Sequence, residues 1–337
     1  MSEHYPVSRS RSVQTALAGA FAALCLISSA PAFADRDSDD LLKAVKKARL
    51  IDLSHTWEID SPVAGVNPPY DFALKDTHAN TFNKFGDNGQ LTYASEVMQF
   101  SGQHGAPTID AIGHIARNGK LFGGADAVTS TSNPKGIGTN EPNHVGANLA
   151  IDQFPTDLMM NRGILLDVAR FVRGDSSPLD VHIDGQKEIT AELLERTAKH
   201  QRVKLKKGDT VFIRTGWGQY FNSNSAVYTG NDSPGPSVGG ANFLINHGAR
   251  VVGDDTLTFE MRPPVINGGT PQFQIFPVHM RIIADSGIYI IENLNLEELS
   301  EAKAYEFVVV VPPLKVLGGT GSALRAFALV PSDDDRH

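Results

Sequence analysis

Cysteine is almost absent from this 337-residue chain, and the single one, Cys25, falls in an apolar stretch near the amino terminus. The rest of the chain therefore has no internal disulfide, no thiolate metal site and no thiol nucleophile. A Gly-x-Ser-x-Gly elbow is also missing, which disfavours a serine hydrolase. No basic cluster interleaved with aromatics appears, so nucleic acid and anionic membrane surfaces are disfavoured as partners. There is no internal repeat, and beyond residue 27 no apolar run reaches membrane-spanning length. The charge balance is acidic, with 30 basic and 38 acidic side chains and a formal net charge of −8.

The first 34 residues carry the signature of a secretory signal peptide. Arg9 and Arg11 form a basic start, residues 15–27 are apolar, and Ala32-Phe33-Ala34 precedes the charged Asp35-Arg36-Asp37. Cleavage there implies an exported, periplasmic or secreted protein with no membrane anchor. The mature chain, residues 35–337, keeps 28 basic and 37 acidic side chains, a net charge of −9. Without disulfides it must rely on its core, and about 300 residues suffice for one.

Short apolar runs at residues 50–53, 163–168, 210–214, 249–253, 287–292 and 307–311 suit buried strands. Residues 35–49, 190–200 and 239–247 read as helices, the second opening on a Thr190 cap and the third ending at Gly248. Residues 61–88, rich in Pro, Gly, Asn and Asp, read as a long loop. The mixture predicts a single α/β domain.

What is present in abundance is metal-ligating chemistry at short spacing. His104-Gly105-Ala106-Pro107-Thr108-Ile109-Asp110-Ala111-Ile112-Gly113-His114 packs two imidazoles and a carboxylate into eleven residues. Imidazole and carboxylate suit borderline divalent ions such as Zn(II) and Mn(II). Far downstream, His279 precedes an apolar strand that ends in Glu292. A carboxylate at the end of a buried strand needs a cationic partner. A metal is one such partner; Arg281, Arg262 or a backbone amide is another.

These residues resemble the metal-dependent cyclase family that includes bacterial kynurenine formamidases and isatin hydrolases. The family signature, H-x-G-T-H-x-D-x-x-x-H, is matched by His104, Asp110 and His114. Other segments that fit, in order, are Asp52-Leu53-Ser54-His55, Arg214-Thr215-Gly216-Trp217, Gly253-Asp254-Asp255-Thr256, Glu292-Asn293-Leu294, Pro313-Leu314-Lys315 and Gly318-Gly319-Thr320-Gly321-Ser322. The resemblance implies a compact domain with a β-barrel-like core flanked by helices, of swivelling β/β/α type, assembled as a homodimer or homotetramer. It implies His104, Asp110, His279 and Glu292 as ligands of one or two Zn or Mn ions, and His114 as general acid/base. The chain departs from the family at Ala106-Pro107-Thr108, which stands where Gly-Thr-His is usual, so Thr108 marks a weak or lost ligand. Trp217 and His55 are candidates to contact a small-molecule substrate. The activity implied is hydrolysis of a small cyclic or aryl amide, such as a lactam, formamide or lactone analogue. The alternative is a periplasmic binding protein that kept the fold with a degraded metal site.

Overall fold

The strands expected from the apolar runs all form, and their order along the chain is not their order in the sheet. The computed structural model describes residues 33–68, 70–140, 144–264 and 275–332; the proposed signal peptide falls almost wholly outside them. The chain divides after residue 44. In the first unit only the start of the helix Phe33–Lys47 is described. The second unit carries every strand: β1 (Ala48–Asp52), β2 (Asp71–Asp76), β3 (Ser95–Gln99), β4 (Thr108–Asp110), β5 (Met160–Asp167), β6 (Glu188–Ile189), β7 (Thr210–Arg214), β8 (Gly235–Pro236), β9 (Val251–Asp254), β10 (Tyr289–Glu292), β11 (Glu306–Val310), β12 (Gly321–Ala323) and β13 (Phe327–Pro331).

Nine of these make one sheet in the order β1-β13-β11-β5-β7-β9-β10-β4-β12. Its centre, β5-β7-β9-β10, is parallel, and the flanking pairs are antiparallel. The fold is a mixed α/β domain whose sheet curls into a half-barrel. The barrel-like expectation is met in that form: β1 and β12 stand at opposite edges and do not pair.

Side chains alternate between two cores, as strand pleating requires. Leu165, Phe212, Val251 and Ile291 pack on one face with Ile51, Val309 and Val330 from the antiparallel strands. Ile164, Val211, Val252 and Ile290 pack on the other, beneath the helices Ala191–Gln201 and Val238–Asn246. Burial on both faces explains why the parallel strands read as continuous apolar runs. Both helices start on side-chain caps, Thr190 as expected and Ser237 one not expected from the sequence. Thr190 accepts from the Leu193 amide and Ser237 from the Gly240 amide.

One expectation fails. Residues 61–88 are not loop throughout, because Asp71–Asp76 forms β2 and pairs with Ser95–Gln99 across a bulge after Leu74. Its partner lies some twenty residues on, so local turn chemistry gave no hint of it. No helix among the described residues is long and apolar enough to cross a membrane.

Arg214 lies at the end of β7 and is fully buried. It donates to Asp167 Oδ1 at 2.9 Å, to both Glu297 carboxylate oxygens at 2.9 and 2.7 Å, and to the Ser176 carbonyl at 2.6 Å. Removing the cation strands two carboxylates in low dielectric. Arg214→Met is expected to lower unfolding free energy by about 3–5 kcal/mol in urea titrations.

Candidate metal centre

The antiparallel register of β4 and β10 decides which side chains meet. Asp110 lies opposite Ile290, and Glu292 opposite Thr108. With a period of two, Thr108, Asp110, Ile290 and Glu292 share the helix-covered face, while Ile109 and Ile291 point into the other core. Over this face lies the short helix Pro277–His279, which runs directly into a π-helical turn, Met280–Ala284. Such widened turns are frequent at functional sites because they re-aim the side chains around them. Here His279 Nε2 comes to 3.1 Å from Glu292 Oε1 and 3.7 Å from Asp110 Oδ2. The three side chains are buried, and each offers one ligand atom within 4.8 Å of the other two.

Glu260 fixes how His279 is presented. Its carboxylate accepts from the amides of Val278 (2.8 Å) and His279 (3.2 Å), and from His279 Nδ1 at 2.9 Å. With Nδ1 donating to Glu260, Nε2 faces Asp110 and Glu292. A carboxylate behind a ligating histidine sets tautomer and ring orientation in this way. Nothing in the sequence around Glu260 marked it, because its role depends on contacts with residues 18 and 19 positions away.

The electrostatics call for a cation. Burial disfavours charge on His279, but its bonds to Glu260 and Glu292 prevail and hold its pKa well above the ordinary value. Burial pushes Glu292 up to about 7, opposed by His279 and reinforced by the nearby Asp110 charge. Three carboxylates around one imidazole leave excess negative charge even when that imidazole is protonated. Asp110 Oδ1 is buried without a hydrogen-bond partner among the described residues. An orphaned oxygen, a second carboxylate and an oriented imidazole fit a divalent ion such as Zn(II) or Mn(II).

The remaining candidates fall in different places. His114 lies beside the cluster, its Nε2 at 3.9 Å from Asp110 Oδ1, with 28% of the side chain exposed. His104 does not join it. Its Nδ1 accepts from the Ser101 amide at 2.9 Å, and its buried Nε2 makes no hydrogen bond of normal geometry among the described residues. Burial lowers its pKa, opposed by the Pro68 carbonyl. It precedes β4 in a loop that includes Gly105 (φ +150°), where an added Cβ would meet the Pro107 oxygen at 2.4 Å. Thr108 is on the correct face, but its hydroxyl faces the carbonyls of Gly102 (3.1 Å) and Ser322 (3.2 Å). Of the four expected ligands, Asp110, His279 and Glu292 have ligand atoms that converge within 4.8 Å.

Trp217 packs with Ala106, Phe221, Tyr228 and Leu257 and is only 5% exposed. His55 stacks on Phe221 at 4.3 Å, and burial depresses its pKa to about 4. It lines a cavity of about 340 Å³ together with Trp57, Ala106 and Arg325. The aromatic wall of that cavity is Trp57, which sequence reasoning passed over, and not Trp217.

The family model described as putative cyclase matches residues 51–261. This chain belongs to the cyclase family. The cyclase-family chain is 30% identical over 185 residues to an isatin hydrolase from Roseibium aggregatum. That match spans 49% of this chain and 62% of the relative, less than two thirds of its length. Among solved structures, one described as a novel cyclase superposes with a TM-score of 0.70 at 24% identity, covering 86% of this chain and 90% of that one. Isatin hydrolase A from Labrenzia aggregata, bound to benzyl benzoate, gives 0.60 at 20% identity, covering 89% and 100%. These structures share the fold.

Two of the segments that matched the family pattern hold each other in this cyclase-family chain. Asp255 accepts from the Thr215 amide and hydroxyl (2.8 and 2.6 Å) and from the Gly216 amide (2.7 Å). Asn293 donates to the Gly105 carbonyl at 3.2 Å and accepts from Tyr228 Oη at 2.8 Å, tying the end of β10 to the motif loop. Glu260→Gln keeps the size of the side chain but weakens its hold on His279. Zinc affinity, measured by chelator competition, is expected to fall about 10–100-fold with the fold intact.

Proposed function

We propose that this cyclase-family protein is a metal-dependent hydrolase of a small cyclic or aryl amide. The observation that carries the reading is the convergence of Asp110, His279 and Glu292 in a buried, net-negative cluster with His114 beside it. The names of the relatives, isatin hydrolases, support the same reaction class.

Asp110, His279 and Glu292 would hold one divalent ion, Zn(II) or Mn(II), while the Thr108 hydroxyl, bonded to carbonyls, is a poor ligand for a second. Such an ion supplies acidification of a coordinated water and polarisation of a carbonyl. The chain's own residues do the rest. His114, partly exposed and beside the Asp110 carboxylate, takes the proton of the attacking water as the new C–O bond forms. It returns that proton to the leaving nitrogen as the C–N bond breaks, giving an amine and a carboxylic acid, whose remaining proton is released to solvent to leave the carboxylate. An imidazole suits both directions because its intrinsic pKa lies near neutrality. Glu260 holds His279 in one tautomer throughout, and the helices over this face keep bulk water away from the carboxylates.

Metal analysis of purified protein is expected to find about one equivalent of zinc or manganese, lost in Asp110→Asn. His114→Ala should retain the metal while kcat on a panel of lactams, formamides and lactones falls about 10²–10⁴-fold. A folded wild-type protein that binds no divalent ion would overturn the hydrolase reading in favour of a binding protein.

We also propose export to the periplasm with cleavage after Ala34, supported by the basic start, apolar run and Ala-x-Ala site. Amino-terminal sequencing of protein from the periplasmic fraction should begin at Asp35; an intact Met1 there would refute it.

A further inference from the structure

A second cavity, of about 470 Å³, lies between the loop 117–124 and the end of the π-helical turn at Ala284 and Asp285. That volume is in the range of small-molecule sites. Its lining is of three kinds: two cations, Arg117 and Lys120; one carboxylate, Asp285; and the apolar Leu121, Phe122 and Ala284. None of the metal-cluster side chains lines it.

The loop builds this shape from its own bonds. The backbones of Arg117 and Lys120 pair with each other, the Leu121 amide donates to the Ala125 carbonyl at 2.9 Å, and the Ala127 amide to the Gly119 carbonyl at 3.0 Å. Gly123 and Gly124 turn the chain at φ +79° and +90°, where a side chain would be strained. The Phe122 ring is seated on Gly287, at which an added Cβ would meet it at 2.6 Å. A site preformed in this way loses little freedom when a ligand arrives.

The cations are only partly spent. Arg117 donates through Nη1 to Asp285, and among the described residues its side chain has no other partner. A guanidinium carries five N–H donors. Lys120 Nζ reaches Asp126 at 3.4 Å, a long contact between exposed groups that holds neither firmly. Two cations against one carboxylate give the cavity a positive lining, in a chain whose formal net charge is −8. An anion is therefore favoured at this place and not over the chain at large. The planar fork of Arg117 suits a carboxylate, the apolar side chains suit a ring, and Asp285 is left to accept an N–H.

We propose that this cavity binds an aryl aminocarboxylate, a ring bearing a carboxylate and an amine on one molecule. Opening a cyclic aryl amide releases that class of product, so the choice of ligand rests on the hydrolase reading above. The cavity is built on the elements that carry the reaction. Arg117 follows His114 by three residues, and Asp285 follows the π-turn that begins beside His279.

Isothermal titration of the purified chain with 2-aminobenzoate is the test, with benzoate as the probe that lacks the amine. A dissociation constant below about 1 mM is expected for 2-aminobenzoate, with benzoate about 3–10-fold weaker. Arg117→Gln removes an exposed ion pair at little cost to the fold and should weaken both probes about tenfold or more. Asp285→Asn should abolish the preference for 2-aminobenzoate over benzoate. A carboxylate could also reach an ion in the metal cluster, so Asp110→Asn is the control, and it should keep one site with its constant within about twofold of wild type. No binding by the wild type, binding indifferent to Arg117→Gln, or binding abolished by Asp110→Asn overturns the proposal. Equal affinity for the two probes overturns the recognition of the amine. A wild type that binds no divalent ion yet binds 2-aminobenzoate through Arg117 keeps this site and refutes the hydrolase. A metal-bound, active enzyme without such binding keeps the hydrolase and refutes this site.

Discussion

Two carboxylates are brought onto the same buried face of one sheet by the antiparallel register of β4 and β10, and much of the site follows from the cost of that placement. Asp110 and Glu292 cannot both be ionised in low dielectric without positive charge close by. His279 supplies part of it, from a helix that widens into a π-turn immediately afterwards. Glu260 then holds the imidazole from behind and adds a further negative charge. The cluster is a hole for a cation, made by strand register and one oriented ring.

Register also explains how this chain departs from its family signature. A histidine at position 108 would sit on the ligand face directly opposite Glu292. Threonine there keeps the strand, since a β-branched residue suits a pleated, buried position, and its hydroxyl finds carbonyl acceptors on the neighbouring backbone. The fold tolerates the loss because the surrounding anchors do not use that side chain. Asn293 ties the loop at Gly105 to the end of β10, and Asp255 ties the segment around Thr215 to the end of β9. The scaffold is therefore independent of the number of ligands it presents.

Much of this was legible in the chain itself. The parallel strands announced themselves as apolar runs, because burial on both faces removes alternation. The capped helices were marked by Thr190 and Gly248. Asp110, His114, His279 and Glu292 stood out by residue type and by likeness to a family pattern. Glu260 was not legible, because a glutamate that bonds a histidine 19 residues away leaves no local trace. β2 was hidden for a similar reason, in a segment whose turn residues outweigh a six-residue strand. His104 belongs to the pattern by spacing, and its Nδ1 is taken by the Ser101 amide, a contact three residues away that the motif itself does not announce. Trp57 was passed over for want of any sequence signal that it borders a cavity.

The sequence by itself determined the chemistry available. It excluded cysteine from every site, placed two carboxylates and three imidazoles where strands and loops could carry them, and alternated or massed apolar residues to fit a two-cored sheet. Only the tertiary structure decided which of those groups meet. Strand register sets facing residues to within a single position, and a slip of one in β4 would turn Asp110 into the opposite core, away from Glu292. Backbone pairing between segments some 180 residues apart is a property of the whole chain's packing, so the group that could hold a cation came into view only once β4 lay beside β10.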